Sequence, residues 1–332
     1  MSIKPPRLNP GDTIAIVAPA SAPPDPKAVD RSAAILEELG FRPRLAPNVR
    51  KRRGFLAGSD RDRASDLMKM VNDRKVRAIL CVRGGYGTAR ILPLLDYKAI
   101  RAHPKIFIGF SDITSLHCAF LAKSNLVSFH GPMLNSDLIK PDCPSFTLES
   151  LFRTIMRPAA SGSLNSLLDR PLSLDSKLKT KNLKLPHSIA LRRGIASGAL
   201  IGGNLSLLCT TIGTPYQPSF KNRILFFEDL DEVPYRFDRM LTQLLNAGLL
   251  QQVAGVAIGI NANCEDPKAK TCKEYRQSLP DVFKERLLPL KIPVVMNLPF
   301  GHVPLNATLP IGVRATLDGN KADLVITEAA VC

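Results

Sequence analysis

Tryptophan is absent from the 332-residue chain, and aromatic residues make up only 6% of it. So few flat rings leave little for nucleobases to stack on, and no helix-turn-helix, zinc-finger or RNA-binding signature compensates. No run of some 18 apolar residues occurs, which argues against a membrane-spanning helix. The start, MSIKPPRLNPGDTIAIVAPA, lacks the charged, apolar and small-residue order of a signal peptide, so the expectation is a soluble cytoplasmic protein without membrane insertion. The seven cysteines (Cys81, Cys118, Cys143, Cys209, Cys264, Cys272, Cys332) form no C-x-x-C pair and have no histidine at metal spacing. They read as reduced thiols, and those in apolar runs as small buried hydrophobes.

Acidic residues are the other shortage, with 29 Asp and Glu against 45 Lys and Arg, a formal charge of +16. Such a balance favours anionic partners. The basic clusters, RKRR at 50–53 and KLKTKNLK plus LRR between 177 and 193, nevertheless come without aromatic interleaving. They read as solvated faces and a basic linker, not as a specific nucleic-acid site.

What is plentiful is apolar content, 45% of the chain, in short runs that alternate with amphipathic stretches. That alternation predicts a mostly parallel sheet flanked by helices. TIAIVAPAS at 13–21 reads as a strand entering a loop, and Asp25 to Leu39 as a helix closed by Gly40. VRAILCV at 76–82 is a buried strand followed by the glycine-rich RGGYG and a helix through Leu95. IFIGF (106–110) and LVSF (126–129) are further strands. Periodicity fails between 157 and 190, where serine, proline and lysine predominate, so a linker is expected there between domains at 1–156 and 191–332. Beyond it, ASGALIGG is a strand, Asn204 caps a helix, RILFFED is a strand, and PYRFDRMLTQLLNAG is a helix with Pro234 near its start and Gly248 past its end. VAGVAIGI and IPVVMNLPF are strands, and VRATLDGNKADLVIT is a hairpin. No internal repeat occurs.

The stretch that raises a chemical question is IGFSDITSLHCAF at 108–120. A serine hydroxyl needs a base and an oxyanion hole before it attacks a carbonyl. A sharp strand-to-helix corner would expose Ser111, Gly109 at the minus-two position leaves room for it, and the N–H groups of a helix starting near Asp112 would face the reacting oxygen. The residue at plus two is Ile113, so the G-x-S-x-G pattern is not met, and from this stretch by itself the plain helix N-cap is the stronger reading of Ser111. A base must come from His103, His117, His130, His187 or His302. His187 lies in the linker, His103 in a loop, and His117 six residues into the helix, pointing away. His130, in FHGP, reads as a loop-organising hydrogen-bonding residue. His302 follows the IPVVMNLPF strand at its carboxyl end, where open α/β sheets place reactive groups. Glu228 closes ILFFE in the same position, although Asp229, Asp231 and Glu232 stand beside it. Ser111, Glu228 and His302 give the order Ser, Glu, His, one in which such triads recur. RGGYG at 83–87 lacks nucleotide-loop spacing and reads as a holder of a phosphate or of an oxyanion.

The stretches GDTIAIVAPAS, FLAGSDRDRASDL, ILCVRGGYGTARILPLLDY, IGFSDITSLHCAF, FHGPML, IGGNLSLLCTTIGTPY, ILFFEDLDEVPYRFDRMLTQL and LPFGHVPLNATLPIG run nearly the whole chain. Together they resemble the LD-carboxypeptidase family of serine peptidases, which includes murein tetrapeptide carboxypeptidases and microcin C self-immunity proteins. The lysine-rich linker is the part least like it. The resemblance implies an α/β architecture with a Rossmann-like, parallel-sheet N-terminal domain and a smaller mixed β/α C-terminal domain. It also implies a triad between them: Ser111 as nucleophile, Glu228 as orienting acid and His302 as base. Backbone N–H groups of Asp112 and Gly85 would form the oxyanion hole. No metal or organic cofactor is implied, and homodimers are frequent in the family.

The expected activity is removal of the terminal D-alanine from a murein tetrapeptide during cell-wall recycling. The alternatives are hydrolysis of a microcin C-like peptidyl nucleotide, or non-catalytic binding of an anionic ligand. Arg83 and Arg236 are candidates for gripping the substrate's terminal carboxylate, because an arginine fork matches that group.

Overall fold

A computed structural model describes residues 2–168, 187–266 and 277–332. The amino-terminal half runs β1 (Thr13–Val17), α1 (Ala28–Glu38), β2 (Arg42–Leu45), α2 (Asp60–Asn72), β3 (Val76–Cys81), α3 (Thr88–Ile91), α4 (Tyr97–Ala102), β4 (Ile106–Gly109), α5 (Thr114–Ala119), β5 (Ser128–His130) and α6 (Ser145–Met156). The carboxyl-terminal half continues with β6 (Ala160–Ser163), α7 (Leu164–Leu168), β7 (Ile189–Arg192), β8 (Ile195–Asn204), α8 (Leu205–Cys209), β9 (Ile224–Glu228) and α9 (Pro234–Asn246). It closes with β10 (Gly255–Ile260), α10 (Leu279–Leu287), β11 (Val294–Gly301), β12 (Leu309–Ile311), β13 (Arg314–Asp318) and β14 (Asp323–Ala329).

The first sheet has six strands in the order β12-β5-β4-β3-β1-β2. Its first five strands in sequence are mutually parallel, which buries both faces and accounts for the unbroken apolar runs of β3 and β4. The order reverses between β1 and β3, so the loops leaving the carboxyl ends of β1, β3 and β4 open onto one crevice. This is the doubly wound, Rossmann-like architecture expected of the sequence. β12 joins antiparallel to β5, so a strand from near the end of the chain completes the amino-terminal sheet.

The second sheet has eight strands, β6-β14-β13-β8-β9-β10-β11-β7, parallel from β8 through β11 and antiparallel on both flanks. The two sheets share buried side chains. Across their junction the Asn204 N–H donates to Thr114 Oγ1 at 2.9 Å, a buried bond between β8 and α5. Each large apolar side chain in this core contributes about 1.5–3 kcal/mol.

Helix punctuation follows the sequence closely. α9 starts on Pro234, and Gly248, at φ 68°, lies just past its end; Gly40 terminates α1 in the same way at φ 83°. The interval 157–190 differs from its expected irregularity. β6 pairs with β14, α7 follows directly, and β7 pairs with β11, so both ends are elements of the second sheet. ASGS carries too little apolar periodicity to announce a strand, and its pairing partner lies some 160 residues away. The basic stretch KLKTKNLK and Cys272 lie outside the described residues. Cys81, Cys118, Cys143, Cys209 and Cys264 are free and buried, whereas Cys332 is free and exposed. Among the described residues no helix is long and apolar enough to cross a membrane.

Candidate active site

β4 ends at Gly109, and the chain turns at once into a tight 3-10 turn (Ser111–Ile113) that leads into α5. Ser111 has φ 63°, left-handed backbone that a residue with a Cβ adopts at a cost of about 1–3 kcal/mol. This bears on the N-cap reading of its hydroxyl. No side chain caps the turn, and its N-cap position is Phe110, so Ser111 is not an N-cap. The corner depends on small neighbours. A Cβ on Gly109 would lie 2.9 Å from two Ile113 carbons, and one on Gly84 would lie 2.9 Å from Ser111 Cβ and 3.3 Å from the Asp112 nitrogen. The RGGYG loop is therefore packed directly on the serine and on the following N–H.

That loop is held from behind. Ser21 N–H donates to the Gly84 carbonyl at 3.3 Å, and Tyr86 N–H donates to Ser21 Oγ at 3.1 Å. Arg63, fully buried in α2, donates to the Pro19 and Gly87 carbonyls, while Asp112 accepts from Thr88 N–H at 2.9 Å. Neither Ser21 nor Arg63 stands out in the sequence. The only signal is an arginine on the helix face that also buries Ala64, Leu67 and Val71.

Glu228 ends β9 and is wholly buried; its Oε2 accepts from His302 Nδ1 at 2.6 Å. The neighbouring acids sort themselves by their partners. Asp229 accepts from Asn204 Nδ2 (2.7 Å) and Ser206 N–H (2.9 Å), and Glu232 pairs with Arg236 at 3.1 Å. His302 sits just beyond β11, on a loop fixed by α6: Thr147 Oγ1 donates to the Pro304 carbonyl (2.7 Å) and Ser150 Oγ accepts from Thr308 N–H (2.9 Å). Its ring packs edge-on against Phe110, with centroids 4.8 Å apart, so the residue preceding Ser111 touches the imidazole. Burial pulls the His302 pKa down, but the Glu228 charge and hydrogen bond outweigh it and hold the net value above 6.5.

Ser111 and His302 line one cavity of about 630 Å³, together with Arg83, Gly84, Gly85 and Phe110. Arg236 is not among its lining residues; it is spent on Glu232 at the surface. The other histidines stand apart. His117 is buried between Gly109 O and Ser128 Oγ, each 2.8 Å away, and burial lowers its pKa to about 4, as befits a structural residue. His130 departs from expectation. Its ring is buried among Phe110, Phe226 and Phe300, and neither nitrogen has a hydrogen-bond partner among the described residues, so it packs and organises no loop by hydrogen bonding.

A strained serine at a strand-to-helix corner and an imidazole held by a buried acid, with serine and imidazole lining one cavity, are the parts a serine hydrolase uses. The LD-carboxypeptidase N-terminal domain family matches residues 14–131, and the LD-carboxypeptidase C-terminal domain family matches residues 197–317. A probable murein peptide carboxypeptidase of Bacillus subtilis (strain 168) is 38% identical over 331 residues, covering 100% of this chain and 96% of that protein. The crystal structure of muramoyltetrapeptide carboxypeptidase from Oxalobacter formigenes superposes with a TM-score of 0.79 at 30% identity, covering 95% of this chain and 99% of the other. The microcin C7 self immunity protein MccF, in complex with aspartyl sulfamoyl adenosine, superposes with a TM-score of 0.85 at 26% identity, covering 99% and 100%. The chain belongs to the LD-carboxypeptidase family and is a serine-type LD-carboxypeptidase.

Proposed function

We propose that the protein hydrolyses the bond before the terminal D-alanine of murein tetrapeptides, in cell-wall recycling, with Ser111 as nucleophile, His302 as base and Glu228 as orienting acid. The observation that carries this reading is the 2.6 Å bond from His302 Nδ1 to the buried Glu228, with His302 and the strained Ser111 lining one cavity. Glu228 keeps the proton on Nδ1 and so leaves Nε2 free to accept one. His302 Nε2 takes the Ser111 proton as Oγ attacks the carbonyl carbon. The resulting oxyanion accepts from the N–H groups of Gly85 and Asp112, which the packing of Gly84 on Ser111 brings close. Collapse expels the terminal residue's amine, protonated by His302. Water, deprotonated by the same imidazole, then releases the acyl group.

Arg83 is the cation for the substrate's terminal carboxylate, since it lines the cavity next to Gly84 and Gly85. The muramoyltetrapeptide carboxypeptidase likeness and the murein peptide carboxypeptidase relative support the substrate class. The likeness to MccF favours a second reading, hydrolysis of a peptidyl nucleotide. Phe110 is the one aromatic ring lining the cavity among the described residues, and it already packs on His302, which leaves little for a purine to stack on. Purified protein is incubated with murein tetrapeptide or with a peptidyl-adenylate analogue and followed by mass spectrometry. Loss of one alanine, absent in Ser111→Ala, is expected. Preferential cleavage of the adenylate reverses the assignment.

A further inference from the structure

The cavity has a second wall, which the reaction described above leaves without a task. Besides Ser111 and His302 it is lined by residues between Met133 and Pro144, among them Asn135, Asp137, Lys140 and Asp142. The segment is internally tied, with Leu138 N–H donating to the Met133 carbonyl (3.1 Å) and Cys143 N–H to that of Lys140 (3.1 Å). Asn135 N–H donates to the Val82 carbonyl at 2.8 Å, which fixes this wall to the root of the RGGYG loop. It is thus a preorganised surface at a set position relative to the attacked carbonyl.

Its charges are specific. Asp137 has one oxygen, Oδ2, held by Met133 N–H at 2.9 Å, and it makes no ion pair among the described residues. Burial pushes its carboxyl up to about 6, against the opposing pulls of the Met133 bond, Lys140 and His302. A carboxylate so placed is poorly solvated and gains most from a cation brought by the ligand. It would repel the terminal carboxylate of a carboxypeptidase substrate, which belongs with Arg83. The leaving residue's amine is tied up in the scissile bond, so the cation must belong to the residue on the acyl side.

We propose that Asp137 is the specificity-determining group for that residue, accepting a side-chain ammonium on the 133–144 wall while Ser111 attacks the same residue's carbonyl. This rests on the peptide-hydrolase reading above and names the side chain it selects.

Two tetrapeptides distinguish the possibilities, one with lysine as its third residue and one with norleucine, which keeps the chain length and removes the ammonium. Wild-type kcat/KM should favour the lysine peptide by at least about tenfold. Asp137→Asn preserves an acceptor for Met133 N–H; it should lower kcat/KM for the lysine peptide by about tenfold and leave the norleucine peptide within about threefold. Asp137→Ser, whose hydroxyl can take the same backbone bond, replaces it if Asn fails to fold. Equal losses on both peptides would reveal a merely structural carboxylate and overturn the proposal, as would equal cleavage of both by the wild type. If the wild type cuts neither peptide, the failure lies with the proposed function instead.

Discussion

Replacing Glu228 with glutamine tests the reaction at its most buried point. The side chain is wholly inaccessible; its Oε2 holds His302 Nδ1 at 2.6 Å, and its Oε1 has no hydrogen-bond partner among the described residues. The imidazole is therefore the one group the carboxylate is built to serve. Two unit charges about 4 Å apart interact by about 4 kcal/mol at an effective dielectric of about 20, equivalent to about 3 pKa units before desolvation is subtracted. In Glu228→Gln this attraction vanishes, and burial, which lowers the His302 pKa, is opposed by the Asp229 and Asp137 charges alone. The base must be neutral to work, so wild-type kcat/KM should rise with pH through a midpoint above 6.5. In the variant that midpoint should fall by at least about one unit. The amide can also donate to Nδ1 and so favour the tautomer that carries its proton toward Ser111; kcat should drop by about 10³–10⁴. The assay is a pH–rate profile of both proteins on one peptide, with circular dichroism to confirm folding. An unmoved midpoint, with kcat within tenfold of wild type, would refute the role given to Glu228.

Three other outcomes are expected. Ser111→Gly should abolish turnover and raise stability by about 1 kcal/mol in chemical denaturation, since glycine adopts φ 63° without strain; a destabilised variant would contradict the strained corner. His117, whose folded pKa of about 4 lies below the ordinary 6.5, should contribute stability that is complete above pH 6.5 and is lost as pH falls toward 4. The loss amounts to about 3 kcal/mol, and a His117→Gln variant whose unfolding free energy keeps the same acid slope would contradict it. Amidating the substrate's C-terminus should cost at least tenfold in kcat/KM for wild type but little for Arg83→Met, about 1.4 kcal/mol of carboxylate recognition; an equal loss in both would remove Arg83 from that task.

The sequence is legible where a residue's environment is set by its near neighbours. β1, β3, β4, β9, β10 and β11 lie in the buried parallel cores of the two sheets, so their apolar runs announce them, and α9 is bounded by Pro234 and Gly248. β2 reads RPRL and alternates between exposed and half-buried positions, because an edge strand needs only one apolar partner. β6 and β12 are short and gain strand character from pairing with β14 and β5, information that no local window holds. Even so, the ends of the central strands foretold the crevice, since Leu230 and His302, which line it, come just after ILFFE and IPVVMNLPF.

The candidate site divides along the same line. Ser111, Glu228 and His302, the proposed triad, stand at or just past the ends of buried strands, and those corner and strand-end positions are written beside them. Asp229 and Glu228 are adjacent acids, however, and only tertiary contacts separate them: one is saturated by Asn204 and Ser206, the other faces a single imidazole. Arg236 shows the converse. Its nearness in sequence to β9 suggested the crevice, yet in the first turn of α9 it pairs with Glu232, which lies just before the helix, and it does not line the cavity. Asp137 lies in a loop-like stretch, LNSDLIKPD, whose composition suggests only solvent. Its meaning comes from a backbone bond between Asn135 and Val82 that turns the stretch toward the glycine-rich loop. The groups proposed to do the chemistry sit at strand ends and can be read locally. On the Asp137 proposal the substrate-choosing group sits on a segment folded back over those ends, so exchanging residues in 133–144 should change selectivity while the strands stay as they are.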